Sequence, residues 1–350
     1  MRGYVFTGDR EVRDIEKPTP HPGPGQVLIK EKSSTICGSD LHSYRASKSE
    51  RAESTNVFTG HEAVGEVIQV GEGVHWPRVG DRVVAYQVRG CGNCRYCQNR
   101  QFKLCPYNLV TAPTDPTGIA RRVSRDGSNA SHYLATVGQI LPLPDDFSYE
   151  EASVLACNFG TAWGALKAGV PFPGGTVAVW GLGPVGLNIV LMGKAMGLRI
   201  LGIDISEARR RLAELLGAEV LNGSREDIVA ILTERTHGEG PDTVIDTTGV
   251  GAVHEKLVTA VRPKGTVVLV GLGHQTAVGP VPQIILKQLS IKGSWIYDVD
   301  DWLPMLDFVR RHQLDVMRTV ERVVPIAEFP IWIKEADAAN CGKIVFTWDD

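Results

Sequence analysis

A chain of 350 residues exceeds the size at which one hydrophobic core keeps growing, so two domains of roughly 150 to 200 residues are expected. Hydrophobic residues make up 43% and the formal net charge is -3, which fits compact globular packing and leaves no case for a nucleic-acid binder. No run of about eighteen apolar residues occurs, and the N-terminal MRGYVFTGDREVRDIEKP lacks the uncharged apolar segment of a secretory signal, so a cytoplasmic protein with no membrane contact is expected.

Residues 1 to 150 read as short β segments, among them VLIKEKS, AVGEVIQVG and DRVVAYQV, broken by Gly and Pro every eight to twelve residues or so. That texture predicts a small antiparallel β domain, with PTPHPGPGQ as a stiff turn. From residue 151 to about 285 strands and helices alternate: TVAVWG, a helix from Gly183 to Met196, RILGID, a helix from Glu207 to Leu216, then VIDTTG and TVVLVG. Such alternation makes an α/β, doubly wound parallel sheet. Residues 286 to 350 combine an amphipathic helix, DDWLPMLDFVRRH, with short β stretches and are expected to return to the first domain.

Six of the seven cysteines fall into two sets. Cys91, Cys94, Cys97 and Cys105 offer four thiolates within GCGNCRYCQNRQFKLC, enough to close a tetrahedron around Zn²⁺ and hold structure. Cys37, His61 and Cys157 would supply three ligands and leave a fourth position for chemistry. Spacing alone does not join Cys157, in the apolar SVLACNFG, to Cys37. Cys37 opens C-G-S-D-L-H, which places Ser39 and His42 where they could take a hydroxyl proton and pass it to solvent. Glu62, next to His61 in G-H-E-A-V-G, is a candidate neighbour or alternate ligand of the metal. In a reducing compartment close C-x2-C pairs are more often metal ligands than disulfides, and Cys341 remains as a buried packing residue.

Gly181, Gly183 and Gly186 form G-L-G-P-V-G directly after an apolar β run and before a helix. Glycines there allow a tight turn and let a pyrophosphate approach the free N–H groups of the helix N-terminus. Asp204, at the end of RILGID, would accept hydrogen bonds from the adenosine ribose and repel a 2′-phosphate, which predicts NAD over NADP.

Together these runs resemble the zinc-containing medium-chain dehydrogenases/reductases, of which alcohol dehydrogenase is the best known. The resemblance extends from end to end and includes the Gly60, His61, Glu62, Gly65, Gly71, Val74 pattern, the Cys37 to His42 run, the four-cysteine lobe and the C-N-F-G-T segment from Cys157 to Thr161. It implies a GroES-like β catalytic domain with both zinc sites, a Rossmann domain, a closing segment that rejoins the first, and substrate in the cleft between. The Cys2His set is carried by this match and is not a separate derivation. Resemblance also implies Thr161 near the nicotinamide, Arg209 beside the adenosine ribose, Pro184 and Val185 in the phosphate turn, and Val270, Gly271 and Leu272 near the carboxamide.

Polyol and threonine dehydrogenase relatives resemble the C-G-S-D-L-H run but commonly carry Glu where this chain has Cys157, an arrangement of alcohol dehydrogenases proper. Against that, Gly38 replaces a basic residue that many alcohol dehydrogenases use on the cofactor pyrophosphate. DGSNASHY at 126 to 133 also departs from the usual D-G-x-F-A-E-Y.

The leading expectation is a zinc- and NAD-dependent enzyme that oxidises a primary or secondary alcohol reversibly to its aldehyde or ketone. A polyol or sugar dehydrogenase is the alternative, and the pocket segments 43–58 and 106–119 contain both polar and apolar residues. A non-catalytic NAD- or zinc-binding protein would be expected to lose Cys37, Ser39, His42 or His61, all present here. Arg95, Arg100 and Lys103 make a nucleic-acid zinc module a further reading of the lobe, opposed by the acidic chain. A small-molecule substrate and a homo-oligomer, a tetramer rather than a dimer, complete the expectation.

Overall fold

The computed structural model describes residues 1–52, 54–107, 126–225, 227–273, 281–339 and 341–348. Its strands are β1 (Arg2–Gly8), β2 (Glu11–Glu16), β3 (Gln26–Thr35), β4 (Ala63–Val70), β5 (Arg82–Ala85), β6 (His132–Thr136) and β7 (Ile140–Pro142). They continue as β8 (Thr176–Trp180), β9 (Arg199–Asp204), β10 (Glu219–Asn222), β11 (Thr243–Asp246), β12 (Thr266–Leu269), β13 (Ser290–Gly293), β14 (Val320–Pro325) and β15 (Lys343–Thr347). The chain divides into two units: Met1–Cys157 with Asp298–Leu303 and Val320–Asp350, and Asn158–Tyr297 with Pro304–Thr319.

In the first unit one sheet runs β14-β15-β3-β4-β5-β7, and β6 also pairs with β3. All pairs but β14 with β15 are antiparallel, as the alternating pattern predicts. Val27, Ile29, Ala63, Val67, Val83, Ala85, Ala135 and Ile140 form one core, the inward-facing set of period-two strands. A second core gathers Tyr4 and Phe6 of β1 with Tyr44, Phe329, Ile344 and Phe346, and the predicted packing residue Cys341 is buried in it. β3 also carries a buried carboxyl. Oε1 of Glu31 accepts the Val64 N–H at 2.8 Å, Oε2 has no partner among the described residues, and burial pushes its pKa well above the usual range.

The second unit is a six-stranded parallel sheet in the order β10-β9-β8-β11-β12-β13. Counted within the unit this is 3-2-1-4-5-6, the doubly wound arrangement whose order reverses between the first and fourth strands. Ala178, Leu201, Ile203, Val244 and Val267 on these strands pack against Ile228, Leu232 and Leu257 of covering helices. Near-continuous apolar strands such as TVAVW and RILGI suit a sheet covered on both faces. Both architectures expected from the sequence, antiparallel β and doubly wound α/β, are therefore present.

Candidate metal and cofactor sites

The four-cysteine lobe follows β5. Gly92 takes φ +83° and Cys94 opens the one-turn helix Arg95–Gln98, which folds the run back on itself. The ligand atoms of Cys91, Cys94, Cys97 and Cys105 lie within 4.8 Å of one another. Cys94 Sγ is 3.5 Å from Cys97 Sγ, and the backbone N–H groups of Cys91 and Tyr107 each point at Cys105 Sγ at 3.4 Å. N–H donors aimed at sulfur favour the thiolate, the form a metal requires. Burial opposes ionisation of Cys94, but the N–H groups of Cys97 and Tyr96 draw its pKa down to about 7, whereas burial pushes Cys97 up to about 12. The lobe is tied to the 298–303 segment by Arg100 Nε to Asp300 Oδ1 at 2.6 Å and Lys103 Nζ to Asp298 Oδ1 at 3.2 Å.

Cys37, His61, Glu62 and Cys157 form the second cluster, again with ligand atoms within 4.8 Å. Cys37 follows β3, His61 and Glu62 precede β4, and Cys157 comes from the wide π-type turn Leu155–Phe159 that continues the helix Tyr149–Val154. Here the fold joins Cys157 to Cys37, which spacing could not: the sulfurs are 3.8 Å apart and Cys157 Sγ is 3.6 Å from His61 Nε2. A tetrahedral ion with sulfur ligands at about 2.3 Å requires S···S edges of about 3.8 Å, so the donor set fits Zn²⁺. The Cys157 sulfur holds the Cys37 thiol well below its ordinary pKa, and the Cys157 thiol is pushed up in turn by Cys37 and by burial. Burial also works against the His61 imidazolium, but Asp40 and the Cys37 thiolate outweigh it and leave the pKa well above normal.

Two residues that sequence reasoning missed complete this cluster. Asp40 Oδ2 accepts the Cys37 N–H at 2.9 Å while Oδ1 lies 3.3 Å from His61 Nδ1, which fixes the ring with Nε2 toward the sulfurs. Its position three residues after Cys37 was the available signal. Lys343, on β15, puts Nζ 2.7 Å from Glu62 Oε2 and donates to the Ile36 carbonyl at 3.0 Å. Nothing local announces that partner across 281 positions. Burial raises the Glu62 pKa, opposed by the Lys343 ammonium. Ser39 is half-buried and His42 exposed, on either side of the start of the short helix Asp40–Arg45. Gly38 is exposed, with open space around the position of a Cβ.

In the second unit the glycine turn links β8 to the helix Pro184–Ala195, with Gly183 as its N-cap and Pro184 in the first turn. Gly181 has φ +92°, and a Cβ there would come 2.5 Å from Thr247 Oγ1; a Cβ on Gly186 would lie 2.0 Å from the Gly181 carbonyl. Gly183, by contrast, faces open space, the room a phosphate needs beside the helix N-terminus. Asp204 ends β9 almost buried, and its carboxylate accepts the N–H groups of Leu182 and Ser206, each at 2.7 Å. Arg209 Nη1 stands 4.0 Å from the same carboxylate. Val270 and Gly271 both donate to the Asp246 carbonyl, Leu272 is exposed, Val185 is half-buried, and Thr161 is buried in the helix Gly160–Gly169. Of the pocket segment 106–119, residues 108–119 lie outside the described residues.

Two family models match, the alcohol dehydrogenase GroES-like domain over residues 23–145 and the zinc-binding dehydrogenase over 184–311. An alcohol dehydrogenase of Geobacillus stearothermophilus is 31% identical over 89% of this chain and 88% of its own length. A sorbitol dehydrogenase of Halalkalibacterium halodurans is also 31% identical, over 94% of this chain and 93% of its own. Among solved structures, alcohol dehydrogenase TADH from Thermus sp. ATN1 superposes with TM-score 0.89 at 28% identity, covering all of both chains.

Proposed function

The chain belongs to the zinc-type, alcohol dehydrogenase-like medium-chain dehydrogenases/reductases, and within that family we propose a zinc- and NAD-dependent alcohol dehydrogenase acting reversibly on a primary or secondary alcohol. The observation that carries the reading is the convergence of Cys37, His61, Glu62 and Cys157 into one donor set of tetrahedral dimensions. Zinc in such a site supplies Lewis acidity to an alcohol oxygen, and NAD supplies the hydride acceptor.

The remaining work falls to this chain's own groups. Cys37, His61 and Cys157 would hold the ion, with Asp40 keeping His61 in the tautomer that presents Nε2. Glu62, tethered by Lys343, is the nearby carboxylate available as an alternate ligand. Ser39 is assigned the hydroxyl proton and the exposed His42 its release to solvent. Gly181 to Gly186 would receive the pyrophosphate with Pro184 and Val185. Asp204 and Arg209 would read the adenosine ribose, Thr161, Val270, Gly271 and Leu272 would flank the nicotinamide end, and Cys91, Cys94, Cys97 and Cys105 would hold a second, structural zinc.

A homo-oligomer is part of this reading. β13 is one of the two edge strands of the parallel sheet, and Val281, Ile285 and Leu286 beside it in sequence are exposed, a combination suited to pairing with a second copy. A tetramer is proposed, in the cytoplasm; no helix among the described residues is long and apolar enough to cross a membrane. The equal identity to a sorbitol dehydrogenase favours a polyol substrate as the second reading.

The test is NADH formation with linear, branched, aromatic and polyhydroxy alcohols, with parallel NADP assays and a chelator control. Chelator-sensitive turnover of simple alcohols with NAD supports the proposal, and preference for polyols selects the second reading. No turnover with any alcohol or its carbonyl product would overturn both.

A further inference from the structure

His61 is reached through a turn that the sequence does not explain. Gly60 adopts φ +88°, and a Cβ there would come within 2.6 Å of Ser128 Oγ and 2.7 Å of Asn129 Nδ2. The segment Ser128 and Asn129 belong to runs alongside residues 58–59 in the same direction: Gly127 donates to the Phe58 carbonyl at 2.9 Å and Asn129 to the Thr59 carbonyl at 2.8 Å. Its side chains then close the contact. Asn129 Nδ2 donates to Thr59 Oγ1 at 3.1 Å, and Ser128 Oγ accepts the Glu62 N–H at 2.9 Å. Ser128, Asn129 and Glu62 are all buried.

The segment is itself anchored. Asp126 Oδ1 accepts from Lys17 Nζ at 2.5 Å and from the Phe58 N–H at 3.0 Å. These residues lie in DGSNASHY, the stretch where the chain departs from D-G-x-F-A-E-Y; the Ser128 hydroxyl there acts on a backbone N–H and the Asn129 amide on the Thr59 hydroxyl.

We propose that Ser128 is a positioning residue for the open metal site: by holding the Glu62 N–H on one side of His61, and with Asn129 packing Gly60 on the other, it sets the main-chain position from which the imidazole reaches the metal. This rests on the zinc reading above. Without the hydroxyl the buried Glu62 N–H loses its partner and the 60–62 turn is free to shift, while the four-cysteine site, built from other residues, is untouched.

The experiment is a chelator titration of the holoprotein with metal counted at each stage, backed by the thiolate-to-metal absorption of the cobalt-substituted protein. Ser128→Ala is expected to release the metal held by Cys37, His61 and Cys157 at a chelator concentration about ten-fold lower than the unsubstituted protein, with a changed cobalt spectrum. Metal in the four-cysteine site should be retained as before, an internal control for folding, and Ser128→Thr should restore the original release.

If Ser128→Ala fails to fold, Thr59→Val, which removes only the acceptor of the Asn129 amide, should shift release from the same site in the same direction by a smaller factor. Unchanged release and spectrum in the folded variants would overturn the positioning role. If the unsubstituted protein binds metal only through the four cysteines, the zinc reading itself fails and this inference with it.

Discussion

Lys343 and Glu62 form an ion pair with Nζ 2.7 Å from Oε2 and both side chains wholly shielded from solvent. A charged pair in that setting offsets its own desolvation only while both members are present. Lys343→Met should therefore cost about 3 to 5 kcal/mol of stability, read from urea unfolding, because an unpaired carboxylate stays buried. Adding Glu62→Gln to that variant should recover much of the loss. Equal unfolding midpoints for Lys343→Met and the parent chain would show that the pair is energetically idle.

Glu31 gives stability a pH dependence of defined sign. Burial raises its folded-state pKa, so the folded protein binds the proton more tightly than the unfolded one. The contribution is complete below the unfolded carboxyl pKa of about 4.3 and is lost as pH rises toward the folded value, at up to about 1.4 kcal/mol per pH unit. Glu31→Gln should flatten that part of the profile in thermal unfolding followed from pH 5 upward, a range chosen at roughly the foot of the window. A variant whose profile parallels the original would show that the carboxyl does not titrate differently on folding.

On the proposed reading Asp204 has two duties, and they can be separated. Its carboxylate holds the N–H groups of Leu182 and Ser206, so Asp204→Ala should weaken binding of either cofactor as well as altering the choice between them. Asp204→Asn keeps a carbonyl acceptor for one of these bonds and removes the charge. It is expected to lower the NAD to NADP preference about ten-fold or more, measured as the ratio of kcat/KM values. An unchanged ratio would mean that another group reads the ribose.

Cys94→Ser should act on stability before chemistry. Loss of one of four ligands weakens metal retention in the lobe, and a fall in Tm on the order of 5 to 10 °C is expected. NAD affinity by fluorescence titration should be unaltered. A variant of normal Tm that has lost activity would reverse the assignment of this lobe as structural.

Much of the fold could be read from pattern because the pattern is periodic. TVAVW and RILGID are apolar except at their ends, as buried parallel strands require, and glycine and proline punctuate the stretch from β3 to β5. The glycine turn and the place of Asp204 at the end of β9 were legible for a related reason: strand, turn and helix follow one another in sequence, although the bond from Leu182 to the carboxylate joins two such units. Lys343 and Ser128 were not, since each acts through a contact made only when distant strands pair, and a lysine or serine in isolation carries no mark of its partner. Asp40 stood between these cases, three residues from Cys37 in sequence but meaningful only once His61 has been brought beside it.

The wide turn Leu155–Phe159 gives Cys157 a dependence on chain length rather than on composition. An ordinary helix brings a side chain back to the same face after about 3.6 residues, and each residue added or removed rotates the downstream side chains by about 100°. Side chains along Tyr149–Val154 could drift to others of similar size and leave the sulfur on its bearing. A single deletion at Leu155 or Ala156 would swing it beyond the reach of any rotamer, so natural variation in this stretch should accumulate as exchanges and almost never as gaps.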